Sequence, residues 1–95
     1  MKIAAFPKCW LEQICDGRMS LESWIEASAE LECDGLELYS GFLASQEPGY
    51  LRGVRRAAEE LGMSIPMLCC SPDFTLEDPA ERAREVEREQ AMIRA

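Results

Sequence analysis

At 95 residues the chain is one domain at most, and its 18 acidic against 10 basic residues leave a net charge of −8. That balance argues against a generic nucleic-acid or anionic-membrane surface, both of which need a basic field. The 47% apolar content is ordinary for a globular protein, and no apolar run approaches the ~20 residues of a membrane span.

The first six residues hold one lysine and a short apolar start, too brief for the core of a secretory leader, so the expected location is cytoplasmic. Cysteines stand at 9, 15, 33, 69 and 70. An odd count without a C-x-x-C spacing predicts reduced thiols rather than a disulfide framework or a zinc ribbon. Histidine is absent. Its absence removes the commonest general base, along with Ser/His and Cys/His nucleophile pairs.

In chain order, Lys2 to Phe6 reads as a first strand stopped by Pro7, followed by a long loop from Lys8 to Met19. Ser20 is a candidate N-cap. Leu21, Trp24, Ile25, Ser28 and Leu31 then recur at helical spacing, and the helix should end near Glu32. Gly35-Leu36-Glu37-Leu38-Tyr39 alternates, the signature of a strand. Leu36 and Leu38 are expected to pack on helices through Leu21, Ile25 and Val54, which sends Glu37 and Tyr39 to the opposite face. A carboxylate inside a strand is costly to bury unless it is paired, ligating or wet, so Glu37 is the residue that most needs a role.

A polar loop from Ser40 to Gly49 leads to a second helix marked by Leu51, Val54, Ala58 and Leu61, closed by Gly62. A third strand is expected over Ser64 to Cys69, although Pro66 is unwelcome in a central strand. After the Ser71-Pro72-Asp73-Phe74-Thr75 loop, Asp78, Pro79 and Glu81 give N-cap, N1 and capping-box signals. Ala83, Val86, Gln90 and Ile93 trace one side of this last helix. The Glu81–Arg84 and Glu85–Arg88 spacings suit a salt-bridged solvent side.

The order is strand-helix three times over, in repeats of roughly 30 residues, the size of β/α units. These residues resemble the N-terminal third of the sugar phosphate isomerase/epimerase family of xylose isomerase-like TIM barrels. The likeness lies in Lys2-Ile3-Ala4-Ala5-Phe6, in the passage from Ala29 through Gly35-Leu36-Glu37 to Tyr39, in Ala58 to Ile65, and in Cys69-Cys70-Ser71-Pro72-Asp73-Phe74-Thr75. It implies a partial (β/α) TIM barrel, with residues 1–95 as a single segment holding three parallel β/α units. A whole barrel takes ~250 residues.

The family typically binds a divalent metal (Mn, Mg, Zn or Co) through two glutamates, an aspartate and a histidine, mostly on later strands. The resemblance therefore assigns no metal ligand and no catalytic base to this chain, and the segment alone should be inactive. What it does imply is a set of substrate contacts at strand ends, where such barrels build their sites. Glu37 would meet sugar hydroxyls, Lys8 a phosphate and Trp10 a sugar face, with Ser71 and Asp73 at the third strand's exit. Each has a plainer alternative: an edge glutamate, a surface lysine, a packing tryptophan and an ordinary Ser-Pro-Asp turn.

The substrate class so implied is a sugar or sugar phosphate, with no nucleic acid and no membrane as partner. A second reading is a small acidic α/β module that binds a partner or self-associates through open sheet edges. A third is a thiol-redox protein using Cys69-Cys70 or Cys9 and Cys15, against which the missing C-x-x-C already counts.

Overall fold

A computed structural model describes residues 1–95. Three strands form one parallel sheet in the order β1-β2-β3: β1 (Ala4–Ala5), β2 (Gly35–Tyr39) and β3 (Ser64–Cys69). Four α-helices accompany them: α1 (Leu11–Cys15), α2 (Leu21–Ser28), α3 (Pro48–Glu60) and α4 (Pro79–Arg94). Single 3-10 turns occupy Lys8–Trp10, Ala29–Leu31 and Ser40–Phe42. The chain is thus mixed α/β with β2 central. No helix is long and apolar enough to cross a membrane.

The second and third strands lie where the alternation and the apolar run place them. The first is shorter than residues 2–6, for a local reason. The Ile3 amide donates to the Asp34 carboxylate at 2.8 Å, and the Ile3 carbonyl accepts from the amides of both Asp34 and Gly35. A side chain thus replaces the next rung of the ladder, leaving only Ala4 and Ala5 paired with Gly35 and Leu36. The segment from Lys8 to Met19 is likewise no plain loop: it folds into a 3-10 turn and α1, whose Ile14 is buried.

α2 starts at Ser20, whose hydroxyl accepts the Ser23 amide at 3.0 Å, the usual way of satisfying one of the free donors at a helix start. Its periodic residues Leu21, Trp24, Ile25 and Ser28 are all buried. The 3-10 turn then carries the chain to Glu32, which turns left-handed with φ 54° and aims it into β2. α3 buries Val54 and Ala58, and Gly62 follows with φ 75°, a conformation that glycine adopts without strain.

Leu36 and Leu38, 0% and 3% exposed, pack with Leu21, Ile25, Val54 and Ala58 to form the core between sheet and helices. Full burial of each such side chain is worth about 1.5–3 kcal/mol. Alternation leaves Glu37 and Tyr39 on the other face, both half-buried, beside an exposed Met67 paired with Glu37. Parallel sheets normally bury both faces. This one is covered by α2 and α3 on one side.

Pro66 fits because the register slips. Gly35 pairs with Ser64 and Glu37 with Met67, so β3 takes three steps where β2 takes two. The proline lies inside that irregularity, where a missing ladder donor is tolerated. β2 approaches β3 closely here: a Cβ on Gly35 would lie 2.8 Å from the Ser64 carbonyl oxygen and 3.1 Å from Pro66 Cδ.

α4 corrects the sequence reading most. Asp78 caps it by accepting the Ala80 amide at 3.0 Å, with Pro79 in the first turn. The capping oxygen thus serves Ala80 rather than Glu81, as a reciprocal box would have it. Ala83, Val86, Gln90 and Ile93 face solvent, whereas Arg82, Glu85, Glu89 and Met92 are half-buried against the body. No residue of α4 is fully buried.

The close approach at Gly35 is testable by urea denaturation. Gly35→Ala should lower stability by about 1–3 kcal/mol, because backbone rather than a flexible side chain must yield. Gly53→Ala, inside α3 with nothing within 4 Å of the added methyl, should instead raise it by about 0.5–1 kcal/mol. Equal effects at the two positions would contradict the packing described.

Candidate functional site

A cleft of about 250 Å³ opens where β2 and β3 end and α4 crosses them. Tyr39 and Ser40 enter it from the end of β2, Cys70 and Ser71 from the end of β3, and Gln46 from the intervening loop. The ligand-binding end of an open parallel sheet is the carboxyl end of its strands, because the loops that follow them converge there.

The Tyr39 ring meets Phe42 edge-on, with centroids 5.7 Å apart, and Phe42 in turn stacks on Phe6 at 5.9 Å. This aromatic stack ties the exits of β1 and β2 together. Gly41 makes the tyrosine's position possible, since a Cβ there would lie 2.6 Å from Tyr39 Cε1 and 3.3 Å from the Cys15 sulfur. α4 supplies the far wall through Glu85, Arg88 and Glu89, with Glu85 and Arg88 joined as an ion pair.

The Cys70 thiol is pushed up first by desolvation and next by the neighbouring Glu89 carboxylate, against a lowering hydrogen bond with Ser40. Desolvation, followed by the charge of Asp16, raises the Cys15 thiol as well. A raised thiol is protonated at neutral pH and a poor nucleophile, which weighs against the redox reading. All five cysteines are free.

Of the five substrate contacts expected from sequence, only Ser71 lines the cleft. Glu37 sits two residues before Tyr39 on the uncovered face of β2, and none of the chain's three ion pairs includes it. Lys8 is exposed in the turn after Pro7. Trp10 belongs to the same turn and meets Trp24 edge-on at 5.8 Å, so its ring is partly spent on packing. Asp73 accepts the Thr75 hydroxyl at 2.6 Å and the Thr75 amide at 2.9 Å. Those two bonds, the hydroxyl's first, hold its carboxyl below the usual aspartate range. The Asp73 carboxylate therefore organises its own turn.

Sequence reasoning missed Ser40, Gln46, Glu85, Arg88 and Glu89. Ser40 carried a usable signal, as the residue immediately after a strand. The three α4 side chains carried none, because their spacing is that of an ordinary solvated helix side.

Chemically the cleft offers hydroxyls, an amide, carboxylates, a guanidinium and one aromatic ring. That set suits recognition of a small polyhydroxylated molecule. The cleft's one thiol, Cys70, is held protonated by burial and by Glu89 rather than activated. No three of its Cys, Asp and Glu side chains, nor any elsewhere in the chain, gather closely enough to hold a metal ion. The chain's own residues thus do not fit the divalent metal that the resemblance implies. No family model matches this sequence, and no curated protein matches it.

The electrostatics of the cleft can be checked at Cys70. Glu89→Gln removes a carboxylate that favours the protonated thiol, so its pKa should fall and Cys70 should alkylate faster at fixed pH. Mass spectrometry resolves it from the other four cysteines. An unchanged or slower rate would mean that Glu89 does not face the thiol.

Proposed function

We propose that this chain forms the first three β/α units of a metal-dependent sugar or sugar phosphate isomerase/epimerase of the TIM-barrel type, acting in the cytoplasm. The observation that carries the reading is the one-sided sheet. A parallel sheet with helices on one face and half-buried polar side chains on the other has the layering of a barrel wall, whose inner face is closed by further strands. Glu37 and Tyr39 occupy that inner face, near the strand ends at which barrels bind ligands.

In this reading the chain contributes substrate contacts rather than catalysis. Glu37 accepts hydrogen bonds from sugar hydroxyls, Tyr39 presents its ring to the apolar side of the sugar, and Ser40 and Ser71 hold further hydroxyls. Lys8, at the exit of β1, reaches an anionic substituent where the sugar carries one. The divalent metal and its ligands belong to later strands of the barrel. A divalent metal held by those strands would supply Lewis-acid chemistry, while this chain's own residues bind and orient the sugar. An odd count of five cysteines without a C-x-x-C spacing supports a reducing compartment.

The decisive experiment uses the native gene product that carries this sequence. It should be a barrel-length enzyme with metal-dependent turnover of a ketose or its phosphate. Glu37→Gln, which keeps volume while removing a charged acceptor, should lower kcat/KM by about 10-fold or more, the worth of a hydrogen bond to a charged group, with the melting temperature unchanged. A fully active but strongly destabilised variant would make Glu37 a structural partner. A native product with no isomerase or epimerase turnover would remove the reading altogether.

A further inference from the structure

The outward side of α4 repeats with a spacing of three, four and three residues, through Ala83, Val86, Gln90 and Ile93. All four are exposed, Val86 to 44% and Ile93 to 78%. That spacing is the a-d-a-d pattern of a two-stranded coiled coil. The line that α4 turns toward its own body, Arg82, Glu85, Glu89 and Met92, lies about 100° around the helix at 3.6 residues per turn. The apolar seam is therefore lateral, and the body does not obstruct it.

The charges beside the seam discriminate among occupants. With Ala83 and Gln90 at a, the g positions are Arg82 and Glu89, and the e positions are Glu87 and Arg94. In a parallel pair of identical helices, each g residue meets the e residue five positions later on the other helix. Arg82 then faces Glu87 of the second copy, while Glu89 stays turned toward Cys70 in the cleft. Symmetry repeats that pair, giving two attractive contacts and no like-charge contact. An antiparallel pair sets e against e and brings Glu87 toward its own counterpart. Parallel pairing also places Gln90 opposite Gln90, where the two amides can hydrogen-bond to each other. A single polar a position of this kind fixes register in two-stranded coils. Arg82 is not fully occupied within its own chain, since it donates to the Leu76 and Glu77 carbonyls through Nη1 alone.

We propose that a second copy of this chain docks on α4 through a parallel, two-stranded coiled coil centred on Val86, Gln90 and Ile93. The interface is isologous, so it closes as a dimer and does not propagate. This proposal does not rest on the catalytic reading, and it uses a different surface from the sheet edges.

Sedimentation equilibrium of the purified chain across a concentration series tests it. The unsubstituted chain should form a dimer. Ile93→Glu should abolish it with unchanged circular dichroism, because Ile93 is exposed and the fold does not use it. Glu87→Arg should weaken the dimer about tenfold, since both Arg82–Glu87 pairs become repulsive. Ile3→Glu, at the open edge beside β1, should leave the dimer intact. A chain that stays monomeric throughout overturns the proposal. So does a dimer that survives Ile93→Glu, one that the charge reversal leaves as tight as before, or one lost to Ile3→Glu.

Discussion

The structure depends on how β2 is clamped. Its two leucines point into the helices and are almost wholly excluded from water, while Gly35 lets β3 approach to a distance that no side chain would permit. These constraints act on adjacent residues and fix both the facing and the register of the strand. A slip of one residue would put Glu37 into the core and Leu36 and Leu38 onto the open face. The cost of an unpaired buried carboxylate makes that alternative uncompetitive.

From that facing the rest follows by geometry. α2 and α3 are held to one side by the residues that receive Leu36 and Leu38, so the polar side chains of β2 have nowhere else to go. Tyr39 then emerges at the strand's end, where Gly41 clears space for its ring and Phe42 supports it. The cleft forms because β2 and β3 end side by side and the loops after them carry hydroxyls and a thiol rather than bulky apolar groups. α4 closes it with charged side chains, an arrangement of moderate strength because no residue of that helix is fully buried.

Much of this was legible in the sequence, and the reasons differ by element. β2 and β3 were readable because alternation and an apolar run are local signals, and α2 because a cap and a periodic stripe agree. The shortening of β1 was not readable, since it depends on Asp34, thirty-one residues from Ile3, reaching across to the Ile3 amide. Pro66 looked like an obstacle and is accommodated by a register slip that only pairing with β2 reveals. The facing of α4 was invisible for a different reason. Its apolar residues are few and its charged residues many, so burial does not decide which side turns inward. In the cleft, Ser71 was found from its place after a strand, whereas Asp73 is taken up by its own turn and Trp10 by Trp24.

β2 presents its leucines to the helices and Glu37 to an uncovered face. Single cysteines at successive positions report this most directly. With mass spectrometry separating the new thiol from the native ones, Glu37→Cys should react with a water-soluble maleimide in the folded chain. Leu38→Cys should react only after urea unfolds it. Protection at 37 with ready reaction at 38 would reverse the strand and contradict the account.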